Sequence, residues 1–87
     1  MDELKLISKA QKGDRKAFES LVKAHEKNVY NLALKLLKNR EDALDAAQDA
    51  FLKAWISVKS FRGDSRFSAW LHSLSTALVR RAAGFFM

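Results

Sequence analysis

A chain of 87 residues, 48% of them apolar, supports one domain with one core and leaves little for an enclosed catalytic cavity, since a domain this small buries only roughly 60–65% of its unfolded surface. With no cysteine and no proline, disulfides, thiolate metal sites and a cysteine nucleophile are excluded and long helices are permitted. The net charge of +6 points to a polyanionic partner, while the absence of any run of about 18 apolar residues excludes a helical membrane span.

Four helices are expected, giving an all-α bundle within a single domain, residues 1–87. The first covers residues 3–12, with Leu4, Ile7 and Ala10 or Gln11 on one face. Gly13 suits the left-handed position that ends a helix, and Asp14 suits the N-cap of the next. The second spans residues 15–38, where Phe18, Leu21, Val22, His25, Val29, Leu32, Ala33, Leu36 and Leu37 recur at the spacing of a buried stripe. His25 lies in that stripe with no second ligand at i+3 or i+4, so it reads as a half-buried packing residue with no evident partner.

The third helix, residues 40–58, starts after Asn39, with Asp42 placed as in a capping box. Its alanines, Ala43, Ala46, Ala47, Ala50 and Ala54, allow close helix packing. A turn-rich connection follows, from Ser60 to Arg66, with Ser65 as a candidate cap. The fourth helix, residues 66–83, places Phe67, Leu71, Leu74, Leu78 and Ala82 on one face, and Gly84 ends it. Phe85, Phe86 and Met87 form an apolar tail suited to self-association.

Charge is unevenly spread. Residues 1–38 carry nine basic and five acidic groups, residues 39–50 one and four, and residues 51–87 six and one. A basic body with one acidic island suggests two different partners. On the third helix Asp42, Asp45 and Asp49 share a face with Gln48 beside them. The helix dipole favours Glu41 and Asp42, but its benefit fades before Asp49, and like charges at this spacing cost a few tenths of a kcal/mol per pair. Either Arg or Lys of the second helix neutralises the stripe, or it is a docking face for a basic partner.

The connection and the fourth helix gather Phe61, Arg62, Arg66, Phe67, Trp70, Arg80 and Arg81. Aromatic faces stack on unpaired bases while arginines hold phosphates; the alternative is that the three aromatics anchor the loop on the core. There is no glycine-rich phosphate loop, no metal-spaced histidine pair and no serine–histidine–acid set. Neither a catalytic residue, a metal nor a cofactor is expected.

Two segments carry a family resemblance. Residues 39–55, with Asp42-Ala43, Asp45, Gln48-Asp49, Phe51-Leu52 and Trp55, resemble an ordered pattern of the extracytoplasmic-function sigma factors. So do Ser60-Phe61-Arg62-Gly63-Asp64-Ser65 and Phe67-Ser68-Ala69-Trp70-Leu71. Residues 10–14 and 17–21 resemble the opening helices of the same family, so the likeness covers about residues 4–76 and is to region two. The region four domain that members usually carry lies outside these 87 residues.

The resemblance implies a bacterial, cytoplasmic domain of transcription initiation, without catalysis and without membrane insertion. It assigns Asp45, Gln48, Asp49 and Leu52, with Asp42 at the margin, to binding of core RNA polymerase at the clamp helices of its largest subunit. It assigns Phe61, Arg62, Gly63, Asp64, Ser65 and Phe67 to a pocket for a flipped base of the single-stranded promoter −10 element, with Arg62 and Arg66 also on phosphate. Trp70, His72 and Ser73 would lie near the groove or strand, and Arg80 and Arg81 on phosphate. Anti-sigma proteins would cover the same surfaces. Ala77-Leu78-Val79 departs from the polar residues usual in this helix, which favours polymerase binding over base readout. The alternative is a truncated or engineered interaction module that binds polymerase or an anti-sigma factor, or self-associates, without promoter function.

Overall fold

The computed structural model describes residues 3–82 and Gly84. Four helices follow one another: α1 Glu3–Gln11, α2 Arg15–Leu37, α3 Arg40–Ser57 and α4 Phe67–Ala82, with a single 3-10 turn, Val58–Ser60, continuing α3. Among the described residues there is no strand. The expected apolar tail, Phe85 to Met87, and the end of the expected fourth helix at Ala83 lie outside the described residues.

The joints follow local chemistry. Gly13 takes φ 96°, and the N–H groups of Gly13 and Asp14 donate to the carbonyls of Ala10 and Lys9, both at 3.0 Å. That is the paired closure of a helix end for which glycine is suited. Asp14 then turns from closing α1 to opening α2, its Oδ1 accepting from the Ala17 N–H at 3.2 Å. Asn39 caps α3 in the same way, accepting from the Asp42 N–H at 3.0 Å. The α2 helix stops one residue earlier than its pattern suggests, because Lys38 adopts the left-handed conformation, φ 57°, and donates its N–H to the Leu34 carbonyl.

The last helix departs from the sequence reading in two places. Ser65 makes no cap: the N-cap position falls on Arg66, whose carbonyl accepts from the Trp70 N–H at 3.1 Å. The buried row is Phe67, Leu71, Ser75 and Val79, while Leu74 and Leu78 are half-buried and Ala82 is exposed. Ser75 can occupy a fully buried position because its Oγ–H donates to the Leu71 carbonyl at 2.7 Å.

The alanines of α3 explain how the bundle closes. Ala43, Ala50 and Ala54 have no exposed surface, and Ala46 and Ala47 are nearly as buried, so α2 and α4 can approach the α3 backbone closely. The main core joins Ile7 of α1, Phe18 and Leu21 of α2, Val58 of the 3-10 turn, Phe67 and Leu71. A smaller cluster holds Ala33, Ala43, Ala46 and Val79.

Candidate functional site

Because α3 buries its alanines, its larger side chains face outward. Asp42, Asp45, Gln48 and Asp49 are all exposed, as are Leu44, Leu52 and Ile56, the last at 67% of its full surface. Among the described residues the one ion pair is His25–Glu3. No Arg or Lys of α2 therefore neutralises the aspartates, and the acidic face remains open.

Beside the acidic face runs a groove of about 720 Å³ between α2 and α3. Phe18, Val22 and Tyr30 form one wall, and Leu44, Phe51 and Trp55 the other. Phe18 and Trp55 pack with ring centroids 5.1 Å apart. Gln48 and Leu52 belong both to this groove and to the expected docking residues. Sequence reasoning missed the α2 wall and Leu44, Phe51, Trp55 and Ile56. The available signal was that a helix burying its alanine stripe must leave its leucines and isoleucine on the outside.

The second candidate surface begins at residue 61. Phe61 packs edge-on against Phe67, 5.7 Å between centroids, and both pack on Trp70, at 5.4 and 5.5 Å. With 9% and 3% exposure, Phe61 and Phe67 serve as anchors of the loop, and their faces are not open to stack on a base. Trp70 is half-buried. Arg62, Gly63, Asp64, Ser65 and Arg66 are all exposed, and so are His72, Ser73, Arg80 and Arg81. Gly63 takes φ 83°, a conformation that costs a side-chain-bearing residue roughly 1–2 kcal/mol, so it sets the path of the loop.

Two side chains that sequence reasoning assigned to packing turn out to hold this surface in place. Gln11, at the end of α1, donates both amide hydrogens across the chain, to the Val58 carbonyl at 3.0 Å and the Phe61 carbonyl at 2.8 Å. His25 has a partner after all: its Nε2–H donates to the Glu3 carboxylate at 3.0 Å, and its ring packs on Phe67 at 5.4 Å. Among the described residues no cluster of three His, Asp or Glu could hold a metal ion.

The described residues thus form an all-helical domain with an open acidic and apolar face on one helix and a basic loop anchored by buried aromatics beside another. The model for Sigma-70 region 2 matches residues 21–83. The ECF sigma factor SigW of Bacillus subtilis is 36% identical over 75 residues, 86% of this chain and 40% of its own length. The ECF sigma-E factor of Escherichia coli is 40% identical over 70 residues, 80% of this chain and 36% of its own. An engineered region 2 of sigmaE, solved by NMR in complex with GTAAAA, superposes with a TM-score of 0.86 at 31% identity. That match covers 93% of this chain and 84% of the solved one. The chain belongs to the Sigma-70 region 2 family, on its extracytoplasmic-function branch. It spans somewhat over a third of the length of the curated sigma factors it matches.

Proposed function

We propose that this chain binds core RNA polymerase through α3 and captures the single-stranded −10 element of a promoter with the loop and first turns that open α4. The observation that carries the reading is the separation of two unlike surfaces on one region 2 fold. One is acidic and apolar with its aspartates unpaired, the other basic and free of helix between residues 61 and 66.

On the first surface, Asp45 and Asp49 supply charge for a basic partner, while Gln48 and Leu52 connect that charge to the α2–α3 groove. Asp42 serves as N-terminal charge on α3 as well as lying at the margin of the face. The natural occupant is the pair of clamp helices of the polymerase's largest subunit. An anti-sigma factor would act by covering this face or the loop. On the second surface, Arg62 and Arg66 hold phosphate, and the exposed backbone around Gly63, Asp64 and Ser65 receives the unstacked base. Phe61 and Phe67 support that pocket from below, and Trp70 forms its edge. His72 and Ser73 continue the surface along α4, with Arg80 and Arg81 as further phosphate contacts. The domain does no covalent chemistry; its work is to offset the few kcal/mol of unstacking with contacts to the open strand. A bacterial cytoplasm is the compartment this function requires.

The test is a pair of titrations with the intact chain, one against a clamp-helix fragment and one against labelled GTAAAA, the hexanucleotide bound by the similar solved domain. Asp45→Ala and Asp49→Ala should weaken clamp binding and leave hexanucleotide binding unchanged, and Arg62→Ala should do the reverse. A folded chain that binds neither would overturn the reading.

A further inference from the structure

The outward face of α3 changes character along its length. Asp45, Asp49, Leu52 and Ile56 recur at i, i+4, i+7 and i+11, the spacing of a continuous ridge that seats against another helix. The first two are exposed carboxylates. The next two are exposed apolar side chains, at 61% and 67% of their full surface. Beyond them Lys59, in the 3-10 turn that prolongs α3, is exposed beside the buried Val58, and the exposed Arg62 follows in the loop. The face therefore runs from acidic through apolar to basic. None of its four charges is in an ion pair, since among the described residues the one ion pair is His25–Glu3.

A wholly basic partner answers only the acidic end of this face. Toward the other end it would meet Lys59 and Arg62 with charge of the same sign, which opposes binding. The surface that answers the whole length is one with the same order reversed. A twofold axis supplies that from the chain itself, because in an isologous pair residue i meets j wherever j meets i. Positions 52 and 56, and positions 49 and 59, are both symmetric about Ala54. With the axis at that level, Leu52 of each copy lies opposite Ile56 of the other and Asp49 opposite Lys59. Asp45 follows one turn further on, toward Arg62.

We infer that a second copy of this chain packs on this face, α3 against α3 in antiparallel twofold arrangement, with Leu52 and Ile56 of both copies at the centre and Asp49 paired with Lys59 at either end. The pairing is drawn from the chain's own surface, whereas its consequence rests on the proposed function. The dimer covers Asp45, Asp49 and Leu52 and brings a carboxylate toward Arg62, so polymerase and the open strand both compete with the second copy.

The experiment is sedimentation equilibrium of the intact chain across about 10 μM to 1 mM, a range that brackets the weak association expected of a single helix face. The native chain should pass from monomer to dimer. Ile56→Glu, which sets a carboxylate at the apolar centre beside Asp49 of the other copy, should weaken association on the order of tenfold or more. Asp49→Lys and Lys59→Glu should each be monomeric, because either change sets like charges opposite one another at both ends of the pair. Mixed together, these two variants should form a heterodimer: the introduced lysine then faces the introduced glutamate, and the remaining Asp49 faces the remaining Lys59. All three sites are exposed, and helical circular dichroism with Tm keeps a loss of pairing apart from a loss of fold. A clamp-helix fragment should dissociate the native dimer.

A native chain that stays monomeric throughout overturns the inference. So does association that survives Ile56→Glu and both charge reversals, which would assign it to another surface such as the Phe85–Met87 tail. If the mixture pairs while the clamp fragment leaves the dimer intact, the pairing stands and the docking reading of α3 falls. If the mixture fails to pair while Asp49→Ala still weakens clamp binding, the docking reading stands and the pairing falls.

Discussion

Gln11 is the residue on which the loop geometry most depends. Its amide ties the last turn of α1 to carbonyls on either side of the point where the chain leaves the 3-10 turn, at 47 and 50 residues' separation. Gln11→Ala should destabilise the domain by about 1–2 kcal/mol, the cost of leaving part-buried carbonyls without a donor. Gln11→Glu should be worse at neutral pH, because a carboxylate would face two carbonyl oxygens. Protonation restores one donor, so the difference between the two variants should narrow below about pH 4. Urea denaturation of both variants across that range is the check. A second contrast concerns adjacent residues with opposite roles. Phe61→Ala empties a core position and should cost about 3–5 kcal/mol, so its effect on DNA binding will accompany lost stability. Arg62→Ala, at an exposed site, should change stability by less than about 0.5 kcal/mol and lose hexanucleotide binding on its own. Calorimetric Tm alongside the binding titration separates the two.

Among the elements, α3 is the one whose composition gives it two jobs. Its alanines let neighbours approach, which leaves its larger apolar and acidic side chains facing out. Elsewhere an element end is under strain: Lys38 holds φ 57° to finish α2 and to let Asn39 begin α3. Left-handed backbone costs an L-residue roughly 1–2 kcal/mol, and glycine removes that cost while giving back some as unfolded-state entropy. Lys38→Gly should therefore raise stability by a net of about 0.5 kcal/mol, read as a higher urea midpoint with an unchanged slope. The end of α1 needs no such change, because Gly13 already occupies its left-handed position.

At the scale of the whole molecule the two proposed partners differ in charge, and so should the salt response of the two surfaces. Arg62, Arg66, Arg80 and Arg81 are exposed and are the proposed phosphate contacts. If three or four of them hold phosphates, log affinity for single-stranded DNA should fall with log salt at a slope of about −2 to −3. Raising salt from about 50 to 200 mM would then cost on the order of tenfold to a hundredfold in affinity. A slope near zero in anisotropy titrations would mean that the arginines do not contact the strand. Clamp binding should also weaken with salt, since the aspartates of α3 are solvent-exposed charges.

The helices, their joints at Gly13, Asp14 and Asn39, and the alanine face of α3 were legible in the sequence because each depends on neighbours within a turn or two. Periodicity placed the acidic stripe on one face, and motif order gave the family. What the sequence could not decide was where each helix came to rest. Ser75 and Val79 rather than Ala82 lie inward because α4 packs against α2 and α3 at an angle that periodicity does not set. Phe61 and Phe67, chemically able to stack on bases, are turned into the core by one another and by His25. The tie from Gln11 to Val58 and Phe61, and the α2–α3 groove, arise from segments far apart in the chain. Local hydrogen bonding and side-chain pattern are written along the sequence, whereas which unlike faces meet is decided by how the helices share one core.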